Sequence, residues 1–177
     1  MSYSDPTVIS NNILRRAFND EIAISPLKLQ KIMYFVASEY AKVTEEQLFE
    51  ERFEAWRYGP VLRSVYREFQ PFGGYPITKY ATQDALGNSF GVNESTNPEL
   101  RVALDKVWAA TRDLGAIKLY KLTHAENSAW DRARKNEQRF IDPNDVTIDD
   151  TYQNELMLPP YTASPESPSR VNGDVGE

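Results

Sequence analysis

Apolar residues recur three and four positions apart through most of the chain, which is the spacing of amphipathic helices. After Asp5-Pro6, an N-cap followed by a first-turn proline, Val8, Ile9, Ile13, Leu14, Ala17 and Phe18 predict a helix ending near Asn19. Ser25-Pro26 repeats the start signal and opens a helix to about Val43. Leu29, Met33, Val36 and Tyr40 form its stripe, and Leu27, Tyr34 and Ala41 widen it, so this helix is expected at the centre of the fold. Lys28 and Lys31 read as its solvated side. Thr44-Glu45-Glu46-Gln47 fits a capping box that starts a short helix through Phe49.

Phe53 to Tyr58 is expected to be extended, with a helix beginning at Pro60 and carrying Val61, Leu62, Val65, Tyr66 and Phe69. Pro71, Gly73, Gly74 and Pro76 stop it. Residues 77–96 lose periodicity; Ile77 to Tyr80 and Ser89 to Val92 flank turn residues and could pair as a small β-hairpin within a long irregular insertion. Asn97-Pro98 opens a helix with Leu100, Leu104, Val107, Trp108 and Thr111, and Gly115 is its stop signal. Ile117, Leu119, Tyr120 and Leu122 make a shorter helix running into Thr123-His124, and Ser128 caps another with Trp130 and Ala133. Ile148, Tyr152, Leu156 and Leu158 predict a last helix opened near Thr147. From Pro159 proline, serine, glycine and charge replace the aliphatics, a composition expected of a disordered tail. The fold class is therefore mainly α: one compact domain of about six or seven helices over residues 1–158, with a flexible tail over 159–177.

Composition narrows the functional classes. The 177 residues are 41% hydrophobic, enough for a core. No apolar run is long enough to cross a bilayer, and the N-terminus lacks a basic patch leading into an apolar stretch, so the expected location is the cytoplasm. There is no cysteine and a single histidine, His124, which excludes the common zinc patterns; no cofactor or metal is expected. Eight acids and one base follow Phe140 in a chain of net charge −6, and the rest is near neutral, which argues against a nucleic-acid footprint. The carboxylates Glu45, Glu46, Glu50, Glu51 and Glu54 read as a solvated surface, and Arg132, Arg134, Lys135 and Arg139 as a local basic patch. No glycine-rich phosphate loop follows a strand.

The densest chemistry lies in Phe53-Glu54-Ala55-Trp56-Arg57-Tyr58-Gly59-Pro60-Val61. Two amphipathic aromatics, a cation and a forced turn stand together there. Large aromatics are mostly core, which favours a structural corner; a partner-binding face is the alternative. Alternation in an extended segment sends Arg57 opposite its neighbours, so Arg57 is expected exposed, Tyr58 next, and Trp56 in the core. His124, Ser128 and Asp131 can be written as a catalytic triad, but the nucleophile would sit on a helix cap without an oxyanion signature. The simpler role for His124 is to hydrogen-bond backbone between two helices.

Three segments carry a resemblance: Pro26-Leu27-Lys28-Leu29-Gln30-Lys31-Ile32-Met33-Tyr34-Phe35, then Phe53 to Val61, then Thr123-His124-Ala125-Glu126-Asn127-Ser128-Ala129-Trp130. Together, in this order, they resemble the Panacea, or SocA-like, antitoxin domain family. That resemblance implies an antitoxin of a type II toxin–antitoxin system, non-enzymatic, which neutralises the toxin of a neighbouring gene by direct contact. It implies a cognate protein toxin as partner, with a homo-oligomer left open; the short, sharply turned segment rich in anchor-type side chains itself makes Trp56, Arg57 and Tyr58 the candidate contact residues. Relatives often occur in phages and prophages. Many add a DNA-binding segment, and no such segment is evident here. The alternatives are a phage accessory or structural protein with the same fold, and an enzyme using His124.

Overall fold

A computed structural model describes residues 1–158. Among the described residues there are seven helices, arranged about the second as a central rod: α1 (Thr7–Asn19), α2 (Pro26–Thr44), α3 (Arg63–Phe69), α4 (Pro98–Thr111), α5 (Ala116–Thr123), α6 (Ala129–Lys135) and α7 (Pro143–Ile148). The sheet is a single antiparallel hairpin, β1 (Glu54–Trp56) and β2 (Gly59–Val61), in which Trp56 pairs with Gly59 across the two-residue turn Arg57-Tyr58. The tail expected after Leu158 lies outside the described residues.

α2 is the rod. Ser25 caps it through Lys28 N (3.3 Å), and every residue from Lys28 to Ala41 is buried. A helix covered on all sides needs neighbours all round: α1, α3, α4, α5, α7 and the hairpin all pack on it. Its apolar face meets Ile9, Ile13, Leu104, Val107 and Leu119 within one continuous core. Polar groups on α2 are satisfied by other elements: Tyr34 donates its hydroxyl to Asp149, and Ser38 Oγ donates to Val146 O (2.7 Å).

Several local expectations are corrected. Thr44 ends α2 instead of opening a helix, because Glu45 turns left-handed (φ 60°) and the chain folds back to bury Leu48 and Phe49. Gln47 donates to Pro143 O (3.1 Å) and Thr147 Oγ1 (2.8 Å). The helix after Pro60 begins only at Arg63, since Pro60 sits in β2, a short edge strand where its missing N–H is tolerated. No hairpin forms between 77–80 and 89–92: Ile77 N donates to Ile24 O (2.9 Å) and Val92 N to Asn12 Oδ1 (2.8 Å), so both segments bond to other parts of the chain instead of each other. Gly115 is the N-cap of α5, and Arg112 closes α4. α7 opens at Asp142-Pro143 instead of Thr147; hydrogen-bonded turns beyond it carry Tyr152, Leu156 and Leu158 inward while Ile148 stays exposed. Lys28 and Lys31 are buried, not solvated, and so is Glu54.

Candidate functional site

The backbone of residues 55–62 is held by side chains from three helices. From α2, Gln30 closes a two-way bond with Leu62, donating to its carbonyl and accepting from its N–H, both at 3.0 Å. One residue on, Lys31 Nζ donates to Pro60 O (3.1 Å). At the end of α5, the His124 ring nitrogen Nε2 faces Arg57 O at 3.0 Å. From α6, Trp130 Nε1 donates to Trp56 O (2.7 Å) and Arg134 to Ala55 O (3.3 Å). Behind β1, Ala55 N donates to Arg139 O (2.8 Å). A hairpin of two three-residue strands is marginal alone; here its carbonyls are met by donors fixed on packed helices.

The clamp is tight at Gly59. Its φ of +104° suits glycine, and a Cβ there would lie 2.8 Å from both Lys31 Nζ and Thr123 Oγ1. Lys31 is fully buried, and this burial pushes its ammonium down to about 7. His124 lies between the rings of Tyr120 (centroids 4.1 Å) and Trp130 (3.7 Å). Its Nδ1 faces Tyr120 O at 2.8 Å, so both ring nitrogens point at carbonyls. A neutral imidazole donates to one of them and an imidazolium to both. Ser128 Oγ donates to Thr123 O (2.9 Å) and caps α6 through Asp131 N (3.1 Å); it shares no hydrogen bond with His124, so the triad written from the sequence is not assembled. His124 bridges the α5 terminus and the hairpin turn, whereas a helix-to-helix contact was expected.

Glu54 anchors the outer side. Its carboxylate accepts from Arg63 (2.8 Å), Arg139 (2.8 Å) and Trp56 Nε1. Burial pushes this carboxyl up, but the hydrogen bonds from Arg63, Trp56 and Arg139 outweigh it and hold it below the usual range. Of the three residues singled out from sequence, Arg57 and Tyr58 are exposed, Tyr58 at 55%, and Trp56 is half-buried with its ring against Tyr66 (centroids 4.8 Å). Beside them runs an apolar groove of about 430 Å³, between the start of α2, the hairpin and α3. Among the described residues no group of three His, Asp or Glu side chains could hold a metal ion, and no helix is long and apolar enough to cross a membrane.

Gln30, Lys31, the hairpin itself, His124 and Trp130 all belong to the three sequence segments, and Arg63, Arg134 and Arg139 are added from outside them. The family model for the antitoxin SocA-like Panacea domain matches residues 29–131. This chain belongs to the SocA-like Panacea family. A curated relative, antitoxin SocA of Caulobacter vibrioides (strain NA1000 / CB15N), is 30% identical over 129 residues, covering 72% of this chain and 69% of that protein. No solved structure matches. In this Panacea domain the matched span runs from α2 to the start of α6 and so contains the hairpin and most of the side chains that hold it.

Sequence reasoning missed Gln30, Lys31 and Glu54 as parts of this Panacea site. Lys31 stands four residues after Leu27 and three before Tyr34, on the widened apolar stripe of α2, and that position was the available signal for burial. Nothing local marked Glu54, because its partners Arg63 and Arg139 come from elements that meet only in the fold.

Proposed function

We propose that this chain is the antitoxin of a type II toxin–antitoxin system and neutralises the protein encoded beside it by direct binding. Residues 1–158 are the binding domain, and the hairpin tip is the contact: Arg57 and Tyr58 reach the toxin and Trp56 supports them. The chain acts by occupation, not turnover, and does so in the cytoplasm. One observation carries the reading. Side chains from α2, α5 and α6 hold the tip's backbone through Pro60 O, Arg57 O and Trp56 O, while Arg57 and Tyr58 point outward. Family membership supports it, since the relative is named an antitoxin. A pre-ordered loop bearing an arginine and a tyrosine loses little entropy on binding and presents residue types that dominate interface energetics.

The test is co-expression. The neighbouring gene is induced alone and together with this chain, and the two products are purified for a pull-down. Growth arrest by the neighbour alone, relief by this chain and a stable complex are expected. A neighbour that is harmless, or is relieved without any complex, contradicts the reading.

A further inference from the structure

Two depressions flank Trp56. On one side is the apolar groove, walled by Leu27, Val61, Val65, Tyr66 and Phe69. On the other is a more polar hollow of about 530 Å³ that includes Arg134, Glu137 and Arg139. Four guanidinium groups in this region lie over aromatic rings: Arg57 over Tyr58 (5.5 Å), Arg63 over Trp56 (5.3 Å), Arg134 over Trp130 (5.7 Å) and Arg139 over Phe140 (4.9 Å). Stacking of this kind holds a guanidinium in place and leaves its N–H edge available for a carboxylate.

The local charge opposes that of the whole molecule. Arg63 and Arg139 share the single carboxylate of Glu54. Among the described residues Arg57 and Arg134 have no carboxylate partner, and Glu137 is the acid that lines the hollow. Four cations against two anions make this face positive in a chain of net charge −6. So small a patch on an acidic protein does not supply the run of phosphate contacts that nucleic-acid binding needs, and a polynucleotide has no use for the adjacent apolar groove. Bidentate arginines beside an apolar slot fit carboxylates beside an apolar side chain.

We infer that this face takes an acidic segment of the protein partner, with one aromatic or aliphatic side chain entering the groove and flanking carboxylates meeting Arg57 and Arg134. The inference rests on the reading of the hairpin as the toxin contact and adds the chemistry of what it grips. Occupation of the groove by an apolar anchor supplies affinity, and the arginines supply orientation and selection against basic partners.

The test uses fluorescence polarisation on the full chain with labelled dodecapeptides: an Asp/Glu-rich peptide with one central Trp, the same peptide with Ala for Trp, and the same with Lys for its acids. A thymidine dodecanucleotide is the fourth probe. The acidic Trp peptide is expected to bind, with losses of at least about tenfold for the Ala peptide, for R57A/R134A and for L27D. Both variants are checked for parental melting, and because they change different residues, misfolding of one leaves the other informative. Equal or tighter binding of the Lys peptide or the oligonucleotide overturns the inference, as does parental binding by both variants. A chain truncated after Leu158 that binds more than about tenfold tighter would make the chain's own tail the occupant and overturn it too. The same variants go into the co-expression assay: lost protection without any peptide binding removes only the inferred chemistry, and peptide binding with full protection removes only the contact reading.

Discussion

The hairpin at 54–61 and the long loop at 73–93 are both irregular and both held by side chains bonding to their backbone, yet they present different surfaces. The loop is held by α1: Asn11 Nδ2 donates to Ala81 O (3.0 Å) and Phe90 O (2.8 Å), its Oδ1 accepts from Ala81 N (2.8 Å), and Asn12 does the same for Val92. Those amides fix the two arms and leave the stretch between them exposed, with Leu86 at 87%. In the hairpin the donors reach up to the turn itself, at Arg57 O, so the tip is as fixed as its arms. Anchoring at the base keeps a loop in place; anchoring at the tip makes it a rigid surface that loses little entropy on binding.

Glycine replacement separates the two regions most sharply. Gly59→Ala meets a left-handed φ and two atoms at 2.8 Å, while Gly87→Ala meets φ +81° and nothing within 4 Å. Strain plus overlap should cost G59A about 3 kcal/mol or more and G87A about 1 kcal/mol in chemical denaturation. Equal costs would mean that the tip is no more constrained than the loop.

Asn11→Ala comes next. It strips buried partners from Ala81 and Phe90 and should cost about 2 kcal/mol while leaving partner affinity unchanged. A matching loss of affinity would bring the loop into the contact.

Lys31 sharpens the comparison through pH. Its folded value of about 7 lies below the unfolded 10.5, so between those pH values the unfolded chain holds a proton that the folded chain lacks. Stability therefore rises with pH across that window, by at most about 1.4 kcal/mol per unit, in the parent relative to Lys31→Met. Lys28 and Lys42, whose values burial also lowers, are present in both proteins and cancel in the difference. Denaturation curves taken from about pH 7 to 9.5 stop short of the range where buried Tyr34 and Tyr152, raised by burial, act in the opposite direction. A difference that does not change with pH would mean that the amine is charged in the folded protein.

The smallest effect is at His124. His124→Asn loses a bond to the tip and should cost about 1 kcal/mol, with protection of cells falling only as far as affinity falls. Lost protection by a folded variant of parental affinity would point to chemistry at this residue.

The helices were legible where a cap and one apolar stripe coincide, as in α2 and α4; in α1 the stripe held, but the cap position is Pro6, with Asp5 one residue before it accepting from Thr7 N (2.9 Å). Expectations failed where partners are distant in sequence. Asn11 and Asn12 carry no local sign of the loop seventy or eighty residues on that they hold. Pro60 was read as a helix start because a first-turn proline and an edge-strand proline look alike until Gly59 is seen at positive φ. Lys31 was read as solvated because charge outweighed its place on the stripe. The tip residues Trp56, Arg57 and Tyr58 were legible as a dense aromatic–cation segment, but strand alternation was the wrong reason for exposing Arg57. The extended segment ends at Trp56, and Arg57 and Tyr58 are both exposed as the two turn residues, while Trp56 is half-buried where core was expected because it forms the wall between two depressions.

The most direct measurement is the affinity of the neighbouring gene's product for the parent and for Arg57→Ala and Tyr58→Ala, with melting curves taken in parallel. Neither side chain holds the clamp together, so both variants should melt like the parent, and at least one should bind on the order of thirtyfold more weakly. If both melt normally and bind like the parent, the toxin contact is not at the hairpin tip.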